Sequence, residues 1–268
     1  MNTLKINSTG ADVYYLQSIL CDLRYIIPID GIFGKLTLEA VCKFQRDEKL
    51  DDDGIVGKLT WAALENRRTI ASCLELDFEK AASTLNVEVA TIRAVHQVES
   101  GGRSGFLPDG RPLILFEGHC FWGQLKKMDM DPELFRAGNE DILFPKLDTK
   151  SYKGYEAEYI RLNRACVICH EAALMSASWG MFQIMGFNYE LCGFDSVYKY
   201  CASMYLSRNN HLDAFVMFLK KRKLDVPLRE MRWADFASGY NGKAYKVNDY
   251  DVKLEAAYNQ MKIIYSDK

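Results

Sequence analysis

Three groups of residues in this chain have types and spacings that can do chemistry. The first is Glu99-Ser100-Gly101-Gly102, which closes a run carrying Val89, Ile92, Val95, His96 and Val98 at helical spacing. A Gly-Gly pair directly after a helix is a stop signal. Glu99 is therefore expected at the negative end of a helix dipole and beside an apolar face, and both disfavour the carboxylate and raise its pKa. A carboxyl group that keeps its proton near neutral pH can protonate a leaving oxygen, which is what cleavage of a glycosidic bond requires. The two glycines leave room for a bulky polymer at the backbone. His96, one turn away, can tune that acid or merely pack beside it. The second group is Cys166-Val-Ile-Cys169-His170, the spelling of a c-type haem attachment. It falls inside a stretch with Tyr159, Leu162, Ala165, Cys169 and Ala173 at helical spacing. No fourth zinc ligand can be named for it, so it reads as a chance occurrence on a packed helix. The four histidines form no cluster along the sequence, and no metal site or cofactor is expected. The third group is a repeat: Asp30-Gly-Ile-Phe-Gly-Lys-Leu-Thr37 returns as Asp53-Gly-Ile-Val-Gly-Lys-Leu-Thr60, at an offset of 23 residues.

Elements must position these groups. Each copy of the repeat reads as a tight Asp-Gly turn followed by a helix start, with Thr37 and Thr60 as N-caps. Val13, Leu16, Gln17, Leu20 and Leu23 mark an amphipathic helix ahead of them. The result is a unit of three short helices over residues 1–68, too small for more than a thin core and without an acid/base pair of its own. Residues 65–72 are polar and read as a short linker. A second domain, 75–268, is dominated by helical patterns over 75–85, 87–99 (with Asn86 as cap), 155–175, 195–207, 209–222, 230–239 and 249–265. A minor β-element is expected near 105–117, where Leu113–Phe116 is extended and Pro108-Asp109-Gly110 is a flexible-looking turn. The fold class is mainly α.

Composition narrows the function classes. The chain has 268 residues, with 34 Lys+Arg against 36 Asp+Glu, and a sequence pI near 6.1. No protein-wide basic field for nucleic acid is present. No apolar run approaches the roughly 18–20 residues that span a bilayer, and the N-terminal residues carry no signal-peptide pattern. A monomer made in a cytosol, without nucleic-acid binding or stable membrane insertion, is expected. The eight cysteines read as reduced, mostly core residues.

The N-terminal unit resembles the peptidoglycan-binding domain of cell-wall hydrolases: a helix with a YYLQ core, DGxxGxxT, a helix ending in FQ, then DGxxGxxTW. Farther on, Ser176-Ala-Ser-Trp-Gly-Met-Phe-Gln-Ile-Met185 carries a Gln after a small-residue turn. Phe236-Ala-Ser-Gly-Tyr-Asn-Gly242 places Tyr240 and Asn241 on a Gly-flanked loop after a helix. The order ES-G, GxxQI, helical stretch, YNG resembles goose-type lysozymes and lytic transglycosylases. The insert Gly105–Phe121 and the SASWGMFQIMGFN string resemble the N-acetylmuramidase domain of modular phage endolysins, over nearly all of residues 75–265. The resemblance implies Glu99 as the acid. It implies that Gln183, Tyr240 and Asn241 hold or pack on the glycan, with His119 beside it. Candidates for a second carboxylate are Glu117, ahead of His119, then Asp109, then Glu171; an acid working alone stays open. The implied reaction is hydrolysis of the β-1,4 bond between N-acetylmuramic acid and N-acetylglucosamine. A lytic transglycosylase leaving 1,6-anhydro ends and a non-catalytic wall-binding virion protein are the alternatives. The resemblance further implies that the protein waits in the host bacterial cytoplasm until lysis and then acts on the wall. A cut near residue 70 is expected to yield two separately folded pieces.

Overall fold

The structure, a computed structural model, describes residues 2–23, 25, 27–72, 76–154 and 156–265. The N-terminal unit is built from α1 (Ala11–Asp22), α2 (Lys35–Asp47) and α3 (Lys58–Ser72). Its repeat is explained by two buried glutamines. Gln17 donates through Nε2 to Asp30 Oδ1, the Ile32 carbonyl and Thr37 Oγ1, and its Oε1 accepts from the Gly31 amide at 2.8 Å. Gln45 does the same for Asp53, Ile55, Thr60 and the Gly54 amide. One amide side chain thus satisfies a whole turn that would otherwise bury unpaired polar groups. Thr37 and Thr60 are therefore not N-caps. Each sits at the third position of its helix, and the residues preceding α2 and α3 are glycines.

Residues 65–72 are helical rather than a linker, because Ala62 to Ser72 contains no Gly or Pro to stop α3. The Arg67 guanidinium also docks on Glu48 at 2.7 Å. Cys73 and residues 74–75 lie outside the described residues.

The second unit contains α4 (Phe78–Leu85), α5 (Val89–Ser100), β1 (Ile114–Phe116), α6 (Gly118–Lys127), α7 (Glu156–Ile168), α8 (His170–Met175), β2 (Ala177–Trp179) and β3 (Ile184–Met185). There follow α9 (Val197–Leu206), α10 (Arg208–Lys221), α11 (Asp225–Arg229), α12 (Trp233–Asn241) and α13 (Tyr250–Tyr265). The strands form one antiparallel sheet in the order β1-β2-β3, with Leu115 opposite Ser178 and Trp179 opposite Ile184. Asn86 is the left-handed C-cap of α4 rather than the start of α5, which follows Glu88. The expected helix 155–175 is broken at Cys169, whose extended backbone separates α7 from α8. The break sends the two cysteines and the histidine in different directions. Cys169 meets Met128, and His170 packs edge-on against Tyr14 and Tyr198. The seven described cysteines are free thiols. Among the described residues no helix is long and apolar enough to cross a membrane.

The two units share one apolar core. Tyr14 stacks on Tyr198, and Trp61, Tyr15 and Tyr205 form a continuous stack from α3 through α1 to α9. The Ala11 amide, an N-terminal donor of α1 that Gly10 offers no side chain to cap, donates to Asn163 Oδ1 on α7 at 2.9 Å. Tyr14 and Tyr15 are 1% and 0% exposed, so a cut near residue 70 would strip two large aromatic faces from the core. The expectation of two independently folded pieces is at odds with this packing.

Candidate active site

Glu99 occupies the penultimate position of α5, which ends at Ser100 and is capped by Gly101 at φ 57°. The end of the helix is satisfied locally: the Ser100 hydroxyl accepts from the Gly102 amide and the Ser100 carbonyl accepts from Arg103 Nε. α5 packs chiefly on α13 and α4. The Glu99 carboxyl is partly buried, and burial pushes its pKa up to about 7, against the pull of a hydrogen bond from Asn241 Nδ2 at 3.1 Å. The His96 ring lies edge-on to Phe78 and Phe182, with Nε2 2.9 Å from Met181 Sδ. Burial, then the positive Arg208 and Arg93, pull His96 down to about 4. His96 packs as a neutral ring.

Tyr240 and Asn241 are in the last turn of α12, not on a loop after it. Gly239, which looked like a helix stop, is inside the helix because Leu224 presses on it: a Cβ there would lie 2.4 Å from Leu224 Cδ2. The Tyr240 ring packs among Phe215, Phe218 and Phe236, and its hydroxyl donates to the Phe182 carbonyl in the β2–β3 turn. In this way the helix carrying Asn241 is tied to the sheet.

Gln183 sits in that turn at φ 50°. Its Nε2 donates to the Leu113 and Gly180 carbonyls and its Oε1 accepts from the Ser178 hydroxyl. Both amide hydrogens are engaged within the hairpin. The turn is also held by His211, 1% exposed, whose Nδ1 accepts from the Met181 amide while Nε2 faces the Met204 carbonyl at 2.6 Å.

Glu117 follows β1 and precedes α6. Its Oε2 accepts from the Tyr152 hydroxyl at 2.5 Å and lies 3.3 Å from His119 Nδ1, which has no aligned hydrogen bond. The surrounding backbone is clamped by a pair that sequence reading missed. Glu158, fully buried, accepts from the amides of Phe116, Lys153 and Gly154 and from Arg161 Nη1 at 2.7 Å. Arg161 in turn donates to the Phe116 and Asp141 carbonyls. One carboxylate thereby fixes both the strand leading into Glu117 and the segment that carries Tyr152. The opposite charges three residues apart, between apolar Tyr159 and Leu162, were the available signal.

Asp109 is tied rather than mobile. Its Oδ2 accepts from Arg111 Nε and Nη2 at 2.9 and 2.6 Å, and its Oδ1 from the Arg111 amide. Burial would raise its pKa, but these hydrogen bonds and the adjacent guanidinium hold it below the usual carboxylate range. Arg111 also reaches Asp12 of α1 at 3.6 Å, so Asp109 faces the interface between the units. Glu171 is exposed in the first turn of α8. The structure thus brings Glu99 together with Asn241, Glu117 together with His119, and Asp109 together with Arg111. Among the described residues no cluster of His, Cys, Asp and Glu could hold a metal ion.

The protein is thus a helical body around a three-stranded antiparallel sheet, with a carboxyl group of raised pKa at the end of a helix. Comparison with known proteins is more specific. Residues 88–262 match the model of the N-acetylmuramidase family and residues 9–64 that of a putative peptidoglycan binding domain. The chain belongs to the N-acetylmuramidase family. Over 97% of its length it is similar to the crystal structure of a Burkholderia AP3 phage endolysin, at 41% identity and a TM-score of 0.67, covering 99% of that chain. A relative from Kitasatospora aureofaciens, described as an uncharacterized protein in bpoA1 3'region, is 48% identical over 64 residues, 23% of this chain and 54% of that protein. The chain spans about half the length of that curated relative.

Proposed function

We propose that this protein is an endolysin that hydrolyses the β-1,4 bond between N-acetylmuramic acid and N-acetylglucosamine. The observation that carries the reading is the Glu99 carboxyl, shifted to about 7 by burial at a helix end that opens onto two glycines. It donates its proton to the glycosidic oxygen as the bond breaks. Asn241 orients the carboxyl and receives the charge that develops on it. Water attacks the sugar from the opposite face. Glu117 is the better candidate to orient that water, because Asp109 is already engaged by Arg111 through both oxygens. His119, beside Glu117, and Tyr240 line the approach. Gln183 shapes the hairpin that floors it rather than lending its amide to the glycan. Residues 1–68 hold the wall polymer, and 75–268 cut it. The protein acts as a monomer, without nucleic acid or stable membrane insertion, and is held in the host cytoplasm until lysis.

Mass spectrometry of digested peptidoglycan tests this reading. Reducing muramic ends are the expected product. Anhydromuramic ends would convert the assignment to a lytic transglycosylase using the same acid. Reducing glucosamine ends would refute both, and no products at all would leave a binding protein.

A further inference from the structure

A cavity opens beside Gly102, three residues past Glu99. It has a volume of about 350 Å³ and is walled by Phe78, Arg93, Gln97, Gly102, Arg208 and Tyr265. Two guanidinium groups meet in it. The Arg93 guanidinium is held between the rings of Phe78 and Tyr265, 4.4 and 4.3 Å from their centroids, and Nη1 donates to the Tyr265 hydroxyl at 3.1 Å. Its closest carboxylate, Glu79, is 3.9 Å away and 72% exposed. Arg208 makes no ion pair among the described residues, and the buried Nε of both arginines lacks a hydrogen-bond partner there. Two cations lining one open cavity, one paired only with an exposed carboxylate and the other with none among the described residues, beside aromatic walls that lower the local dielectric, suit an oxyanion.

The location says which oxyanion. Glu99 lies six residues past Arg93, which places it about 120° round α5 and about 9 Å farther along it. Just past Glu99, a Cβ on Gly101 or Gly102 would touch nothing within 4 Å. Both glycines hold a positive φ, as the turn after α5 requires, and Gly102 lines the cavity, so the pair forms a bare saddle of backbone beside it. In peptidoglycan each muramic acid carries a short peptide with free carboxylates, branching from the glycan beside the bond that is cut. We propose that the Arg93–Arg208 cavity is a subsite for a carboxylate of that peptide, reached across the Gly101-Gly102 saddle. This rests on the hydrolase reading above and adds to it a reason for the enzyme to distinguish peptide-bearing from naked glycan.

The test compares the full-length protein with Arg208→Gln on intact sacculi cleared of phosphate polymers and on the same glycan stripped of peptide by an amidase. Arg208 is preferred over Arg93, whose guanidinium is packed between rings. On intact sacculi the variant should raise KM about tenfold, the scale of one charge-assisted hydrogen bond, with kcat within about twofold. On stripped glycan the two proteins should share one raised KM, and Arg208→Lys should recover part of the loss on sacculi. Equal KM values on sacculi would overturn the subsite. So would an equal loss on both substrates, which marks a disturbed fold or cleft. A difference seen only on walls that retain phosphate polymers would assign the cavity to phosphate and overturn the carboxylate. A wild type inert on both substrates would overturn the hydrolase reading and this one together. An active wild type matched by the variant removes this inference alone.

Discussion

Among the described residues the Glu99 carboxyl accepts from Asn241 at 3.1 Å, and the Glu117 carboxylate accepts from Tyr152 at 2.5 Å with the His119 ring nearby at 3.3 Å. Both acids sit at the end of a regular element, and the same small sheet links them through Tyr240 and Phe182 on one side and Phe116 on the other. Their surroundings differ in kind. Around Glu99, burial removes water and the described residues return one amide hydrogen, so its pKa is pushed up to about 7. Around Glu117, the chain supplies a phenol and an imidazole and locks the backbone through Glu158 and Arg161. A carboxyl group becomes an acid by being denied partners. A carboxylate that must be held in one orientation is given them.

Glu99→Gln is the strongest way to break this comparison. It keeps shape and removes the proton, and turnover on sacculi should fall by at least about 100-fold with the melting temperature little changed. Near-normal lysis by the folded variant would end the assignment of the acid. Next is the choice of partner. Glu117→Gln should lower kcat about tenfold or more, the range expected for a positioned general base, whereas Asp109→Asn should act mainly on stability, by loosening the Arg111 pair. Steady-state kinetics beside thermal melts would separate the two, and a larger kcat loss for Asp109→Asn would transfer the role. Tyr152→Phe removes one hydrogen bond to Glu117 and should lower kcat several-fold, roughly the worth of a bond to a charged group, while leaving KM unchanged. A change in KM alone would place Tyr152 on the substrate instead. The smallest effect is a shift in pH dependence. The acid works when protonated, so activity should be present below about 7 and lost as pH rises through that value. Asn241 donates to the carboxyl and favours its charged form. Asn241→Ala should therefore move the alkaline limb of the kcat profile to higher pH, and a move to lower pH would contradict the geometry.

Glu99 was legible because its surroundings are local: a helical apolar stripe, then a glycine stop. The repeat was legible for the same reason, and the glutamines that build its turns stood in the YYLQ and FQ strings. Tyr240 and Asn241 were expected on a loop and lie instead in the last turn of a helix that continues through Gly239. Residues 65–72 looked like a linker because polarity was read as irregularity. An unbroken run of helix formers with one face on solvent has the same composition. The Glu158–Arg161 pair could be suspected from its spacing, but its reach to the backbone around Glu117 and the His211 tether of the hairpin could not be read. Their partners lie 30 to 45 residues away, and no periodicity encodes a contact of that range. The apparent independence of the N-terminal unit failed in the same way, through the pairing of Ala11 with Asn163, 152 positions apart.

That pairing changes what it means for a wall-binding unit to be attached to a wall-cutting one. A flexible tether lets a blade sweep a volume around its anchor, and the gain in local concentration follows the statistics of the linker. Here the first helix of the anchor begins on a side chain of the blade, and an aromatic column runs from Trp61 to Tyr205 across the joint. The molecule is a caliper rather than a tethered scissor. On the proposed function, once it grips the polymer the bond it reaches lies at one offset from the grip. The next cut then needs either release or give in the mesh itself, so tension and slack in the wall, not reach of the protein, set where successive cuts fall.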